Sequence, residues 1–155
     1  MITIRNGTPQ DIPSVYRLIK ELAEYEKAAN EVETSMESML KDGFGEDPLF
    51  EFFVAEENEI IIGIALYYWR YSTWKGRVLY LEDFVVREDK RGLGIGKLLF
   101  QKLIARAKET NSRQISWQVL DWNEPAIRFY QRLQSDFDAG WLNCQLRSAY
   151  YDVVG

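Results

Sequence analysis

The chain has 155 residues, with 19 Lys and Arg against 24 Asp and Glu, so its formal charge is −5; 46% of it is apolar and 28% charged. That length suits one domain, 1–155, with its own core, and the composition excludes wholesale disorder. Histidine is absent and Cys144 is the single cysteine. This excludes a Ser-His-Asp triad, a Cys-His pair, a His-ligated metal and an intrachain disulfide. Acid–base chemistry must use Asp, Glu, Lys or Tyr.

The acidic balance argues against a nucleic-acid partner and favours small cationic molecules. The N-terminus lacks a basic segment followed by an apolar one, and the longest apolar run, 60–69, is half of a membrane span. A soluble, cytoplasmic protein is expected, with no membrane partner. The lone cysteine leans the same way.

Ile2 and Ile4 alternate with polar neighbours, as in a short strand. Thr8 and Asp11 form a capping signature for a helix whose apolar side is Ile12, Val15, Ile19, Leu22 and Ala23, ending near Tyr25 or Glu26. A second helix is predicted over 35–41, stopping at Gly43. Three strands follow, at 52–56, 60–71 and 77–87, the first two joined by a tight turn at 57–59. Leu98, Leu99, Leu103, Ile104 and Ala107 mark a long helix beginning just after Gly94 and Gly96. A strand at 114–120, a helix from Asn123 to about Leu133 and a last strand at 140–146 complete a mixed α/β (α+β) domain.

Arg91-Gly92-Leu93-Gly94-Ile95-Gly96-Lys97 lies between an apolar strand and an amphipathic helix. Glycines let a backbone approach a ligand, and the free amides and dipole of a helix start favour an anion. The stretch reads as a pyrophosphate cradle, or as a turn that is merely glycine-rich. A P-loop fits poorly, because Leu98 stands where a hydroxyl is needed. A Rossmann turn fits poorly too, because Lys97 occupies the third glycine's place.

Upstream, Glu82 and Asp83 sit side by side in an apolar strand, and strand alternation puts them on opposite faces. A carboxyl desolvated at the rim of such a cradle is a general-base candidate; the other reading is a structural acid paired with Arg or backbone amides. Asn123 suits an N-cap, with Pro125 in the first turn. Tyr130 shares a helix face with Ala126, Ile127 and Leu133, so spacing alone makes it a core aromatic. Glu21, Glu24, Glu26, Glu31 and Glu33 form either a solvated face or an attractor for an amine.

The sequence at 91–96 resembles the R-x-x-G-x-G/A signature of the GCN5-related N-acetyltransferase (GNAT) family. RLIKELA at 17–23, YE at 25–26, DGFG at 42–45, YLEDF at 80–84 and WNEP at 122–125 look like its diamine branch, the spermidine/spermine acetyltransferases. LAEYEK at 22–27, YSTWKGR at 71–77 and VLDWN at 119–123 look closer to the thialysine acetyltransferases. The resemblance implies a mixed, splayed sheet with helices on both faces, a homodimer, and acetyl-CoA as co-substrate without a metal.

It also implies roles. Phe84, Val85 and Val86 would offer backbone amides to the acetyl carbonyl and pantetheine arm. Arg91, Gly92, Leu93, Gly94, Ile95, Gly96 and Lys97 would hold the pyrophosphate. Asn123, Glu124, Pro125 and Ala126 would flank the pantetheine and thiol. Glu82 would draw off the amine's proton, Tyr130 would protonate the departing thiolate, and Tyr25, Glu26, Glu82 and Trp141 would line the amine site. Gln134 and Ser135 replace the family's usual Gly-Ala, and Ser72-Thr73-Trp74 lacks the Asp that polyamine enzymes often carry. The implied reaction is acetyl transfer in a ternary complex, to a short diamine or lysine-like amine rather than spermine. The alternatives are an acetyltransferase for protein or peptide amines, and a non-catalytic acyl-CoA or polyamine sensor.

Overall fold

In the computed structural model, which describes residues 1–154, the apolar strands predicted from sequence assemble into one five-stranded sheet. Its strands are β1 (Ile2–Asn6), β2 (Glu51–Glu57), β3 (Ile60–Ser72), β4 (Gly76–Val86) and β5 (Gln114–Ser116), in that spatial order. The first four are antiparallel, and β5 joins β4 in parallel, so the sheet is mixed. The helices are α1 (Ile12–Tyr25), α2 (Met36–Phe44), α3 (Ile95–Glu109) and α4 (Glu124–Arg132). The chain separates into two compact units, 1–118 and 119 onward.

In the first unit the strands bury residues on both faces, as a sheet covered on both sides must. Ile12, Val15 and Leu18 of α1 and Met39 of α2 pack with Phe52, Val54, Ile64, Leu66 and Val85 of the sheet. On the other face lie Leu99, Leu103 and Phe100 of α3, with Phe100 edge-on to Phe84 at 5.5 Å. Gly63 lets α3 approach: a Cβ there would stand 3.3 Å from a Leu99 methyl and 3.1 Å from the Val85 carbonyl. Burial of each such side chain contributes roughly 1.5–3 kcal/mol.

Thr8 and Asp11 cap a short 3-10 turn, Pro9–Asp11, that leads into α1. The buried Asp11 carboxylate accepts from Thr8 N–H at 2.8 Å and from both Arg5 terminal nitrogens at 2.8 and 2.9 Å. That guanidinium holds the Asp11 carboxyl below the usual range, which meets the desolvation cost of a buried acid. The 57–59 turn forms as predicted, with Asn58 and Glu59 both left-handed at φ 50 and 64, the requirement of a two-residue hairpin.

Three expectations are corrected. The second helix runs through Gly43 to Phe44, and Gly45 ends it. β5 stops at Ser116 rather than at 120. In the second unit the predicted strand at 140–146 does not form, and Cys144 and Trp141 stand exposed in irregular backbone. Apolar residues there satisfied the strand pattern, but among the described residues no strand pairs with the segment.

Candidate active site

β4 and β5 share a ladder over Val78–Tyr80 only, whereas β4 continues to Val86. Beyond Tyr80, then, the strand holding Phe84, Val85 and Val86 has its sheet ladder on the β3 side alone. A chain leaving that point meets the turn 91–97 at once.

The turn is built by its glycines. Gly92 and Gly94 lie at φ 79 and 81, the left-handed region that L side chains avoid, and no atom lies within 4 Å of where a Cβ would stand on either. Leu98 N–H donates to the Gly94 carbonyl at 3.2 Å. The amides of Ile95, Gly96 and Lys97 precede it, ahead of the helix's own first acceptors, at the positive end of a 15-residue helix. Open space over glycines at positive φ, at a helix start, suits an anion such as a pyrophosphate.

The basic residues around this turn are mostly engaged. Arg87 makes two 2.6 Å bonds to Asp89, and Lys90 pairs with Glu57. Arg91 donates from Nε to the Val86 carbonyl at 3.0 Å and lies 5.7 Å over the Tyr25 ring. It therefore ties the turn to the end of β4 and to α1. Among the described residues Lys97 makes no ion pair and is exposed; it is the cation left over for an anion.

The two carboxylates of β4 overturn the alternation argument. Leu66 pairs with Asp83 and Tyr67 with Leu81, so Glu82 is an extra residue in β4, a β-bulge. Asp83, opposite Leu66, faces the α1 side. Glu82 reaches the same side, where its Oε2 accepts from the Tyr68 hydroxyl at 3.2 Å. The acids are neighbours on one face, not opposites.

Burial, then the nearby charges of Glu82 and Glu26, push the Asp83 carboxyl up to about 7. Burial also raises Glu26. Tyr68, desolvated and beside Glu82, is pushed up to about 12, so it stays a neutral donor. Tyr80 lies against Tyr68 with ring centroids 5.5 Å apart. Glu82, Asp83, Glu26, Tyr68 and Tyr80 thus surround a patch that can hold an ammonium by charge and by aromatic faces. The two tyrosines do not stand out in the sequence among nine. Alternation along β3 puts Tyr68 on the side of Ile64 and Leu66, whereas Tyr80 joins that side only because the bulge at Glu82 shifts β4 by one residue.

In the second unit, Asn123 caps α4, its side chain accepting from Ala126 N–H at 3.4 Å. Pro125 sits in the first turn, and Glu124 pairs with Arg128 at 3.9 Å. Tyr130 is the buried residue of α4, with its ring edge-on to Phe129 at 5.6 Å. Trp141, expected to line the amine site, is 70% exposed.

The acetyltransferase (GNAT) family model matches residues 13–134. A thialysine N-epsilon-acetyltransferase of Bos taurus is 41% identical over 140 residues, covering 85% of this chain and 82% of the relative. Human spermidine/spermine N(1)-acetyltransferase-like protein 1 is 37% identical over 148 residues, 89% of this chain but 21% of that longer protein. The solved structure of a BH1408 variant from Bacillus halodurans superposes with a TM-score of 0.76 at 27% identity, covering 93% of this chain and 99% of that one. With its family model and relatives in agreement, the chain belongs to the GNAT family of acetyltransferases, in the branch that includes the thialysine enzymes.

Proposed function

We propose that this protein transfers an acetyl group from acetyl-CoA to the primary amine of a small diamine or lysine-like substrate, by direct attack in a ternary complex. The observation that carries the reading is the cradle at Gly92 and Gly94, set where β4 outruns β5, beside a face bearing Glu82 and Asp83. The family model crosses from the first compact unit into the second, which supports treating 1–155 as one acetyltransferase domain.

In this reading the amides of Gly92, Leu93, Gly94, Ile95, Gly96 and Lys97 hold the pyrophosphate, with the Arg91 side chain fixing the turn and the Lys97 ammonium adding charge. Backbone amides of Phe84, Val85 and Val86 orient the pantetheine arm and polarise the acetyl carbonyl. Acetyl-CoA supplies the acetyl group as a thioester. An alkylammonium has a pKa near 10.4 and must lose a proton before it attacks; Glu82, held by Tyr68, accepts that proton directly or through water. Tyr25 and Glu26 line the amine's approach. The family pattern assigns the thiol end to Asn123, Glu124, Pro125 and Ala126, the proton for the leaving thiolate to Tyr130, and part of the lining of the amine site to Trp141.

The free thiol of Cys144 supports a reducing, cytoplasmic setting, and no described helix is long and apolar enough to cross a membrane. A homodimer fits the exposed apolar residues Trp141, Leu142, Leu146 and Tyr151 of the second unit; sedimentation at twice the chain mass is the expected result.

Release of CoA thiol from acetyl-CoA tests the reaction, against lysine, thialysine, putrescine, cadaverine, spermidine, spermine and a short peptide. Turnover with one or two small amines is expected, and Tyr130→Phe lowers it while leaving acetyl-CoA binding nearly intact. Turnover with the peptide alone, or acetyl-CoA binding without any turnover, overturns the reading.

A further inference from the structure

We propose that Arg91 is a positioning residue for the amine: acetyl-CoA, by fixing its guanidinium, stiffens the end of α1 that carries Tyr25 and Glu26. Cofactor and amine then each tighten the other's binding. This rests on the acetyl-transfer reading and adds to it a coupling between the two parts of the site.

The end of α1 is strained. It closes on Lys27, at φ 60, through Ala28 N–H to the Ala23 carbonyl at 2.8 Å and Lys27 N–H to the Glu24 carbonyl at 3.0 Å. Helices that close this way usually place glycine at that position, because a side chain makes the left-handed conformation costly. Tyr25 is the last residue of the helix and 42% exposed, and the half-buried Glu26 follows it. Glu26 is one of the charges that act on Asp83. Its placement therefore bears on the acids that meet the ammonium.

Arg91 reaches this strained end from the cofactor turn. Its Nε donates to the Val86 carbonyl at 3.0 Å, and its guanidinium carbon lies 5.7 Å from the centroid of the Tyr25 ring. Among the described residues Arg91 makes no ion pair, and its two terminal nitrogens donate no hydrogen bond. They remain for an anion, one residue before Gly92.

With the turn empty, the ring contact is weak, because a long exposed side chain must give up rotamer freedom to stay over the ring. A phosphate held by the terminal nitrogens removes that freedom once for both contacts, so the ring contact then forms at lower cost. Tyr25, the cap behind it and Glu26 become fixed when the cofactor is in place. The coupling is reciprocal: the factor by which acetyl-CoA raises the amine's affinity is the factor by which the amine raises that of acetyl-CoA. An exposed cation–π contact supports a factor of about three.

Amide hydrogen exchange followed by NMR, with CoA alone as the added ligand, tests the link without an amine. In the wild type CoA is expected to slow exchange about threefold at residues 26–28 and to slow it in the turn at 95–98. Tyr25→Phe keeps the ring and retains both effects. Tyr25→Leu loses the effect at 26–28 and keeps it at 95–98; thermal melting of each variant verifies folding. In turnover, Arg91→Gln raises the amine's KM about threefold at saturating acetyl-CoA. Protection at 95–98 with none at 26–28, equal protection at 26–28 in Tyr25→Leu, or an Arg91→Gln variant that raises the KM for acetyl-CoA alone overturns the proposal and leaves acetyl transfer standing. Absence of protection at 95–98 overturns the acetyl-CoA reading and this proposal with it.

Discussion

The bulge at Glu82 and the turn at 91–97 belong to one strand–turn–helix segment, yet they are made by different means. The turn presents backbone: two glycines at positive φ and the first amides of α3. The bulge presents side chains, and it exists only because β3 and β4 pair with one residue too many on the β4 side. A site made of backbone tolerates change in most side chains around it but not in the glycines that shape it. A site made of side chains on a bulge depends on each of them, and on the register that aims them.

The largest expected effect separates the two acids that the bulge turns to one face. Glu82→Gln is expected to lower kcat/KM for the amine by about 100-fold, the usual worth of a positioned base. Asp83→Asn should cost less than tenfold. Thiol-release kinetics on both variants decide the matter. Equal losses would mean that the two carboxyls act as a coupled pair and that the sharper division of roles fails.

On the side of the turn, Gly94→Ala should weaken acetyl-CoA binding by about tenfold, because a left-handed L residue costs roughly 1–2 kcal/mol. No protein atom stands near the missing Cβ, which leaves that space to the pyrophosphate; Gly94→Val, β-branched at a positive φ and bulkier over the same space, should weaken binding further. Calorimetric titration checks this. Unchanged binding in both variants would show that neither the conformation of Gly94 nor the space over it holds acetyl-CoA.

Asp83 gives a prediction about stability. Its folded-state carboxyl is raised to about 7 from near 4, so the folded protein holds a proton there that the unfolded chain has lost. Stability therefore falls as pH climbs from about 4 to about 7 and levels off above. The whole shift corresponds to roughly 4 kcal/mol, and partial solvent access reduces it to something on the order of 1 kcal/mol. Asp83→Asn should remove that slope and melt higher than the wild type at pH 8, with little difference at pH 4. Parallel melting curves at both pH values would show that Asp83 is not a desolvated acid.

The turn was legible in sequence because its chemistry needs glycine, and glycine between an apolar strand and an amphipathic helix is visible in one pass. The strands at 51–57, 60–72 and 76–86 were legible for a similar reason, since burial on both faces demands long apolar runs. The shared face of Glu82 and Asp83 was not, because alternation assumes regular pairing and a bulge is a property of two strands together. Tyr80 stayed hidden for the same reason: it joins the face of Tyr68 only once β3 and β4 are laid in register. The segment at 140–146 misled in the opposite direction, with strand-like residues and no strand beside them.

The smallest expected effect tests whether the register of β3 matters to the chemistry at all. Tyr68 holds Glu82 through one hydrogen bond of 3.2 Å, and it keeps its own proton throughout the working range because burial and Glu82 raise it. A partly exposed bond of this length contributes about 0.5–1.5 kcal/mol. Tyr68→Phe keeps the ring that packs on Tyr80 and removes only the hydroxyl. If Glu82 accepts the substrate's proton from the position this bond gives it, kcat should fall about threefold with KM little moved, since the loss lies in aiming the base rather than in the aromatic wall. A rise in KM at constant kcat would place the hydroxyl in substrate binding instead, and the bulge would then serve to shape the amine's track rather than to aim its base.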